Sequence, residues 1–283
     1  MAMAYTSILD DRAVIAVSGV DARDFLQGLV TADVAACVKD CAVYAALLTP
    51  QGKILFEFFI VPETENRFLI DCAAARAADL AKRLSIYRLR AKVEIAPQPE
   101  LAVAAVWEDD GSTPHMPVGT MSFADPRLSG LGVRMIAARD VLARATSTFT
   151  RGDYTGYRLG LGVPDSADLP PDSVFALDAG LEELNGVSFK KGCYVGQEVT
   201  ARMKHRATAR RRFVVVESAD GLPPTGTPLQ SEGREIGTLA SGEANRALAL
   251  VRLDRLDEAE AAQAPVTAGG HTLILRKAGW LHV

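Results

Sequence analysis

Apolar residues recur along this chain with two periods, and the change from one to the other divides it. Residues 14–17 form a short apolar run that predicts a strand, and Asp21 then stands as an N-cap before Phe25, Leu26, Leu29 and Val30, which share one helix face. Residues 44–48 and 54–61 read as strands joined by Thr49-Pro50-Gln51-Gly52, a tight-turn sequence, and 67–71 as a third. The alanine-rich stretch 72–84 predicts a helix, and 93–95 and 101–107 return to strand. Residues 108–127 read as a loop excursion, 131–136 as a strand, 140–147 and 154–161 as helices, and the passage from Pro170-Pro171 onward as irregular. Residues 197–203 are helix-compatible. Beyond about 206 the spacing shortens to strands at 213–217, 227–230, 234–239, 247–251 and 272–277, as in a small β-barrel. The fold class is α+β.

At 283 residues and 48% hydrophobic, the chain is long enough for two or three units with real cores. No apolar run approaches the roughly 18 residues of a membrane helix, and the first residues resemble no secretory leader. Cysteines 37, 41, 72 and 193 lack zinc-type spacing and read as reduced thiols, which places the protein in the cytoplasm. His205 and His271 stand alone and read as surface residues. The net charge of −4 is uneven: residues 190–212 hold eight Lys or Arg against Glu198, a local +7. Such a patch attracts an anion or is merely a solvated face.

The densest chemistry lies inside that patch, in Lys190-Lys191-Gly192-Cys193-Tyr194-Val195-Gly196-Gln197-Glu198. Two glycines bracket a thiol, and a helix is predicted to begin just after it. A cysteine near a helix N-terminus and close to two lysines is favoured as thiolate, so Cys193 is the candidate functional thiol, with Lys191 beside it; the competing reading is a small buried hydrophobe. Glu198 and Arg202, at i and i+4, are either a surface ion pair or a device that orients Glu198 toward a pocket.

Residues 191–198, with Asn185-Gly186-Val187-Ser188-Phe189 before and Thr200-Ala201-Arg202 after, resemble the signature of YgfZ-type folate-binding proteins, relatives of the glycine-cleavage T protein (GcvT) that act in iron-sulfur protein maturation. The likeness extends to residues 25–33, 49–55, 87–93 and 237–242. It implies a GcvT-like cloverleaf around a central folate pocket. Residues 1–46 with 139–205 would form a discontinuous first α+β domain of ferredoxin-like type, 47–138 a second, and 206–283 a C-terminal β-barrel. It also implies tetrahydrofolate or a polyglutamylated derivative as cofactor, with Tyr194, Gln197, Glu198, Arg202, Tyr87, Arg88 and Gln27 as candidate binding residues. The implied function is support for assembly or repair of iron-sulfur enzymes, with iron-sulfur machinery or client enzymes as partners and an indirect effect on tRNA modification.

Two departures bear on activity. Where the parent aminomethyltransferase resembles Gly-Ile-Leu-Asp-Asp, this chain has Lys53-Ile54-Leu55-Phe56-Glu57, and where a Glu grips the pterin it has Leu159-Gly160-Leu161-Gly162. Both argue against glycine-cleavage chemistry. The alternatives are a folate-dependent aminomethyl or methyl transferase working through Glu57, and an RNA-associated protein using the basic 202–212 segment. That segment lacks interleaved aromatics, so direct nucleic-acid recognition is not expected.

Overall fold

The computed structural model describes residues 3–37, 41–111, 120–206 and 209–281. The chain opens with β1 (Ala4–Ile8), β2 (Arg12–Ser18), α1 (Ala22–Gln27), β3 (Val43–Leu48), β4 (Ile54–Thr64), β5 (Arg67–Ala73), α2 (Ala77–Tyr87), β6 (Glu94–Pro97) and β7 (Leu101–Glu108). It continues through β8 (Met121–Ala124), β9 (Val133–Ala138), α3 (Arg139–Ala145), β10 (Thr150–Arg151), α4 (Tyr154–Gly160) and α5 (Gln197–His205). The last part is β11 (Arg211–Glu217), β12 (Pro228–Ser231), β13 (Arg234–Glu243), β14 (Arg246–Arg252), α6 (Leu253–Ala261), β15 (Val266–Ala268) and β16 (His271–Arg276).

These strands form two five-stranded sheets, ordered β3-β4-β5-β2-β6 and β10-β1-β7-β9-β8, and a closed barrel, β11-β14-β13-β12-β15-β16. Period-2 alternation gives the first sheet two buried faces. Ile15, Val17, Ala45, Leu47, Phe58 and Ile60 pack against α1 and α2, with Leu26, Leu80 and Leu84. Their neighbours Val14, Ala16, Tyr44, Ala46, Leu48 and Phe59 point the other way, into a central cluster. The barrel alternates likewise. Val214 and Val216 fill its interior while Phe213 and Val215 join that central cluster, so the barrel docks through its outer wall.

Most predicted elements are present, with several corrections. The helix expected from residue 72 begins at Ala77, because Cys72 and Ala73 stay paired with Ala13 and Arg12 in the sheet and ladder hydrogen bonds override alanine's propensity. That helix runs on to Tyr87, past the expected end at 84, with Arg88 as its C-cap. The expected 108–127 loop contains β8, and its residues 112–119 lie outside the described residues. β1, β10, α6 and β15 had no clear signal. The expected domain boundary at 46/47 falls within β3, and β1 pairs with β7 while β2 pairs with β5. Pairing of this kind depends on backbone partners far apart in sequence, which periodicity does not encode.

Candidate functional site

Residues 162–196 hold no helix or strand and run through the middle of the molecule, burying Leu169, Val174, Ala176, Leu181 and Tyr194 in the central cluster. The thiol motif lies at the end of this segment and is pinned on both sides. Upstream, the Thr31 hydroxyl donates to the Gly186 carbonyl at 2.5 Å and the Ser188 amide donates to the Thr31 carbonyl at 2.9 Å. The Lys191 ammonium then donates to the carbonyls of Gln27 (2.6 Å), Val30 (2.5 Å) and Ala32 (2.9 Å), and lies 5.2 Å from the centre of the Tyr194 ring. Burial lowers its pKa to about 8, against the opposing pull of Asp33.

Downstream, Tyr194 is buried, which raises its hydroxyl above the ordinary phenol range. That hydroxyl makes no hydrogen bond of ordinary geometry; the nearby Thr200 hydroxyl donates instead to the Gly196 carbonyl. Gly196 caps α5 at φ 82°, so close to the 49–52 turn that a Cβ would stand 2.5 Å from the Thr49 carbonyl oxygen. Between these anchors Gly192 and Cys193 are exposed. The buried-hydrophobe reading of Cys193 is thereby set aside. Cys37 and Cys72 are the buried thiols, both pushed up to about 12 by burial.

The structure disperses the remaining candidates. Lys191 sits beneath the loop with all three ammonium protons engaged, so it positions the thiol segment and does not face it. The Gln27 side chain accepts from the Val34 amide at 2.7 Å and donates to Asp33 at 2.9 Å, closing the turn after α1. Gln197 opens α5, and Glu198 pairs with Arg202 in solvent, their side chains 84% and 55% exposed. The ion pair is the surface one. Tyr87 packs under the first sheet and Arg88 donates to the Val93 carbonyl, on a different element from the thiol loop.

The motif-based reading missed a charged network in the interior. Asp71 is fully buried between Arg12, whose Nε donates at 2.7 Å, and Arg134, whose Nε donates at 2.9 Å. Burial opposes ionisation here, but these two guanidinium groups hold the carboxyl below its usual range. Arg127 pairs with Asp125 at 2.7 Å, and the guanidinium carbons of Arg134, Arg127 and Arg12 lie 4.3, 4.8 and 5.7 Å from the Phe59 ring centre. Single arginines scattered over a hundred residues give no local pattern. Glu57, the carboxylate of the transferase alternative, belongs to the same network: its Oε1 accepts from Arg12 at 2.9 Å and from Ser166.

A reduced pterin does not fit beside Glu57. The cavity there, between Cys72, Arg76, Ser166 and Leu169, measures about 40 Å³. A water needs roughly 10–15 Å³ of such space, so it holds a water or a few and no heterocycle. Gly160, where the resemblance puts a pterin-gripping Glu, faces the barrel, and a Cβ there would lie 2.9 Å from Nη1 of Arg246.

Residues 210–283 match the family model of the CAF17 C-terminal beta-barrel domain. The mouse mitochondrial iron-sulfur cluster assembly factor IBA57 is 34% identical over 277 residues, 88% of this chain and 77% of its own. The human protein is 33% identical over 275 residues with the same coverage. The chain belongs to the IBA57 family of iron-sulfur cluster assembly factors. In fold, this IBA57-family chain superimposes on glycine cleavage system aminomethyltransferase T from Bartonella henselae with a TM-score of 0.75 at 17% identity, covering 99% of this chain and 87% of the other. The GcvT-like α+β cloverleaf with its barrel is therefore observed. The resemblance holds at the level of fold and iron-sulfur assembly, with IBA57 as the branch shown in place of YgfZ. These relatives are named mitochondrial, which overturns the cytoplasmic placement. Reduced thiols belong to any reducing compartment, so cysteine usage does not separate the two.

Proposed function

We propose that this IBA57-family chain assists iron-sulfur cluster assembly by presenting Cys193 as a sulfur ligand to a cluster held jointly with a partner protein, in a mitochondrial setting like that of its relatives. The supporting observation is the exposed thiol on a loop anchored by Lys191 on one side and Gly196 on the other. A cluster normally takes four protein ligands, and among the described residues no group of three or more His, Cys, Asp or Glu could hold a metal ion. The remaining ligands come from the partner. Any effect on tRNA modification passes through cluster-dependent modifying enzymes. Tetrahydrofolate has no step in this reading, and the Arg12 contact leaves Glu57 unsuited to act as the free base of a transferase.

The test is complementation. Cells lacking the gene should recover the activity of cluster-dependent enzymes with the wild-type chain or Cys41→Ala but not with Cys193→Ala expressed at the same level. Full rescue by Cys193→Ala would refute the proposal.

A further inference from the structure

A groove of about 530 Å³ separates α5 from the barrel and takes no part in the clasp beneath the thiol loop. Its walls come from three parts of the chain: the central segment supplies Phe175 and Asp178, α5 supplies Val199 and Met203, and the barrel supplies Ile236 and Leu250. Val199 and Met203 stand at i and i+4 on one face of α5. Both are half-buried, as is Phe175, and none of the three joins an apolar cluster of the described residues. The groove therefore has an apolar floor that the fold itself does not use as core.

Most of the charge around this floor cancels, and the remainder sits at one end. On the α5 side Arg202, Lys204, Arg211 and Arg212 are matched one to one by Glu198, Glu182, Asp178 and Glu183. On the barrel side Arg252 pairs with Asp254 and Arg234 with Glu258, while Arg255 donates to the Glu235 carbonyl and is offset in charge by Glu235 itself. Glu232, in a smaller recess with Arg234 and Arg255, is the acid left over on that side. At the Met203 end two cations are left over. Arg206 is the C-cap of α5, and Arg210 lines the groove with its carbonyl accepting from the Leu253 amide at 3.1 Å. Among the described residues no acid pairs with either guanidinium.

An apolar floor closed at one end by unpaired arginines is complementary to a peptide segment that offers an apolar side chain followed by a carboxylate. A nucleic-acid strand uses less of it. Its phosphates would find two cations, and the only ring in the groove, Phe175, has the Lys53 ammonium 5.9 Å from its centre instead of a free face for stacking. The groove is also close to the thiol. Val199 follows Cys193 by six residues, which limits their separation to roughly 20 Å. We propose that this groove docks the protein that shares the cluster, through an acidic segment whose apolar anchor lies against Phe175, Val199 and Met203 and whose carboxylate meets Arg210. The inference rests on the proposed function for the need of a partner, and adds the surface and the chemistry by which that partner is held.

The experiment is selection of displayed random peptides on the full chain, followed by fluorescence-anisotropy titration of the enriched peptides. Enrichment of an aliphatic or aromatic residue flanked by Asp or Glu is expected. Met203→Asp and Arg210→Glu should each weaken binding of these peptides about tenfold, and Cys193→Ala should leave it unchanged. In cells lacking the gene, Met203→Asp should also lower the recovery of cluster-dependent enzymes although Cys193 is intact. The two readings fail separately. Full rescue by Cys193→Ala with peptide binding retained would refute the thiol ligand and leave the groove, whereas loss of rescue by Cys193→Ala with no acidic-apolar peptide enriched would refute the groove alone. Peptide binding that survives both groove variants would also overturn the inference. So would labelled tRNA that binds the wild type and is lost with Arg210→Glu but not with Met203→Asp, which would make this a phosphate-binding surface.

Discussion

Nζ of Lys191 lies 2.5 Å from the carbonyl oxygen of Val30, and this contact, with those to Gln27 and Ala32, ties the thiol loop to the end of α1 across more than 150 residues of sequence. Removing the ammonium leaves three carbonyls without their donor. Each buried unsatisfied group costs about 1–3 kcal/mol, so Lys191→Met should destabilise the protein by about 3 kcal/mol, while Lys190→Met, in solvent, should cost almost nothing. Urea unfolding of the two variants provides the comparison. Equal midpoints would show that the clasp carries no energy.

The four thiols should separate cleanly by reactivity. Cys193 and Cys41 are exposed, whereas Cys37 and Cys72 are buried and pushed up to about 12. Titration of the folded protein with a maleimide at neutral pH should modify Cys193 and Cys41 promptly, and the other two only after denaturation. Cys193→Ala should remove one fast equivalent. Prompt labelling of Cys72 in the native state would mean that the first sheet opens.

Asp71 gives stability a pH dependence of defined sign. Arg12 and Arg134 hold its folded-state pKa below the ordinary value of 3.8, so the unfolded chain takes up the proton first. The stabilisation is complete above the unfolded value and is lost as pH falls through the lower, folded one. Arg134→Met removes one of the two guanidinium groups and brings the folded-state pKa closer to the unfolded one, so the acid loss should be smaller than in wild type and level off at higher pH. The measurement is the urea midpoint from neutral pH downward. Parallel curves for the two proteins would show that Asp71 does not titrate in this range.

The sequence was most legible where local rules decide. Apolar patterning marked β2 to β5 and every barrel strand but β15, Thr49-Pro50-Gln51-Gly52 marked its turn, and the glycines around Cys193 marked a loop that does expose the thiol. It was least legible where distant partners decide. Lys191 reads as an activating neighbour of Cys193 until the three α1-side carbonyls are seen beneath it. Arg12, Asp71, Asp125, Arg127 and Arg134 form one network from four separate strands and loops, and nothing in their spacing links them.

The glycine run at 159–162 carries the last prediction, because it separates loss of a ligand from demands of packing. Gly162 sits at φ 75° with room for no Cβ, since Ala278 Cβ would be 2.6 Å away, and the Trp280 indole donates to the neighbouring Leu161 carbonyl at 3.0 Å. Gly160 meets only the flexible end of Arg246, which can swing aside. Gly162→Ala should therefore cost about 2 kcal/mol through backbone strain and contact, and Gly160→Ala well under half of that. If Gly160 were merely a deleted pterin ligand, Gly160→Glu would restore tetrahydrofolate binding. With the space beside Glu57 limited to about 40 Å³ and the arginines stacked on Phe59, no saturable binding is expected in calorimetric titration of either the wild type or Gly160→Glu. Binding gained by Gly160→Glu would show that the network opens and that the central folate site needs only this one carboxylate.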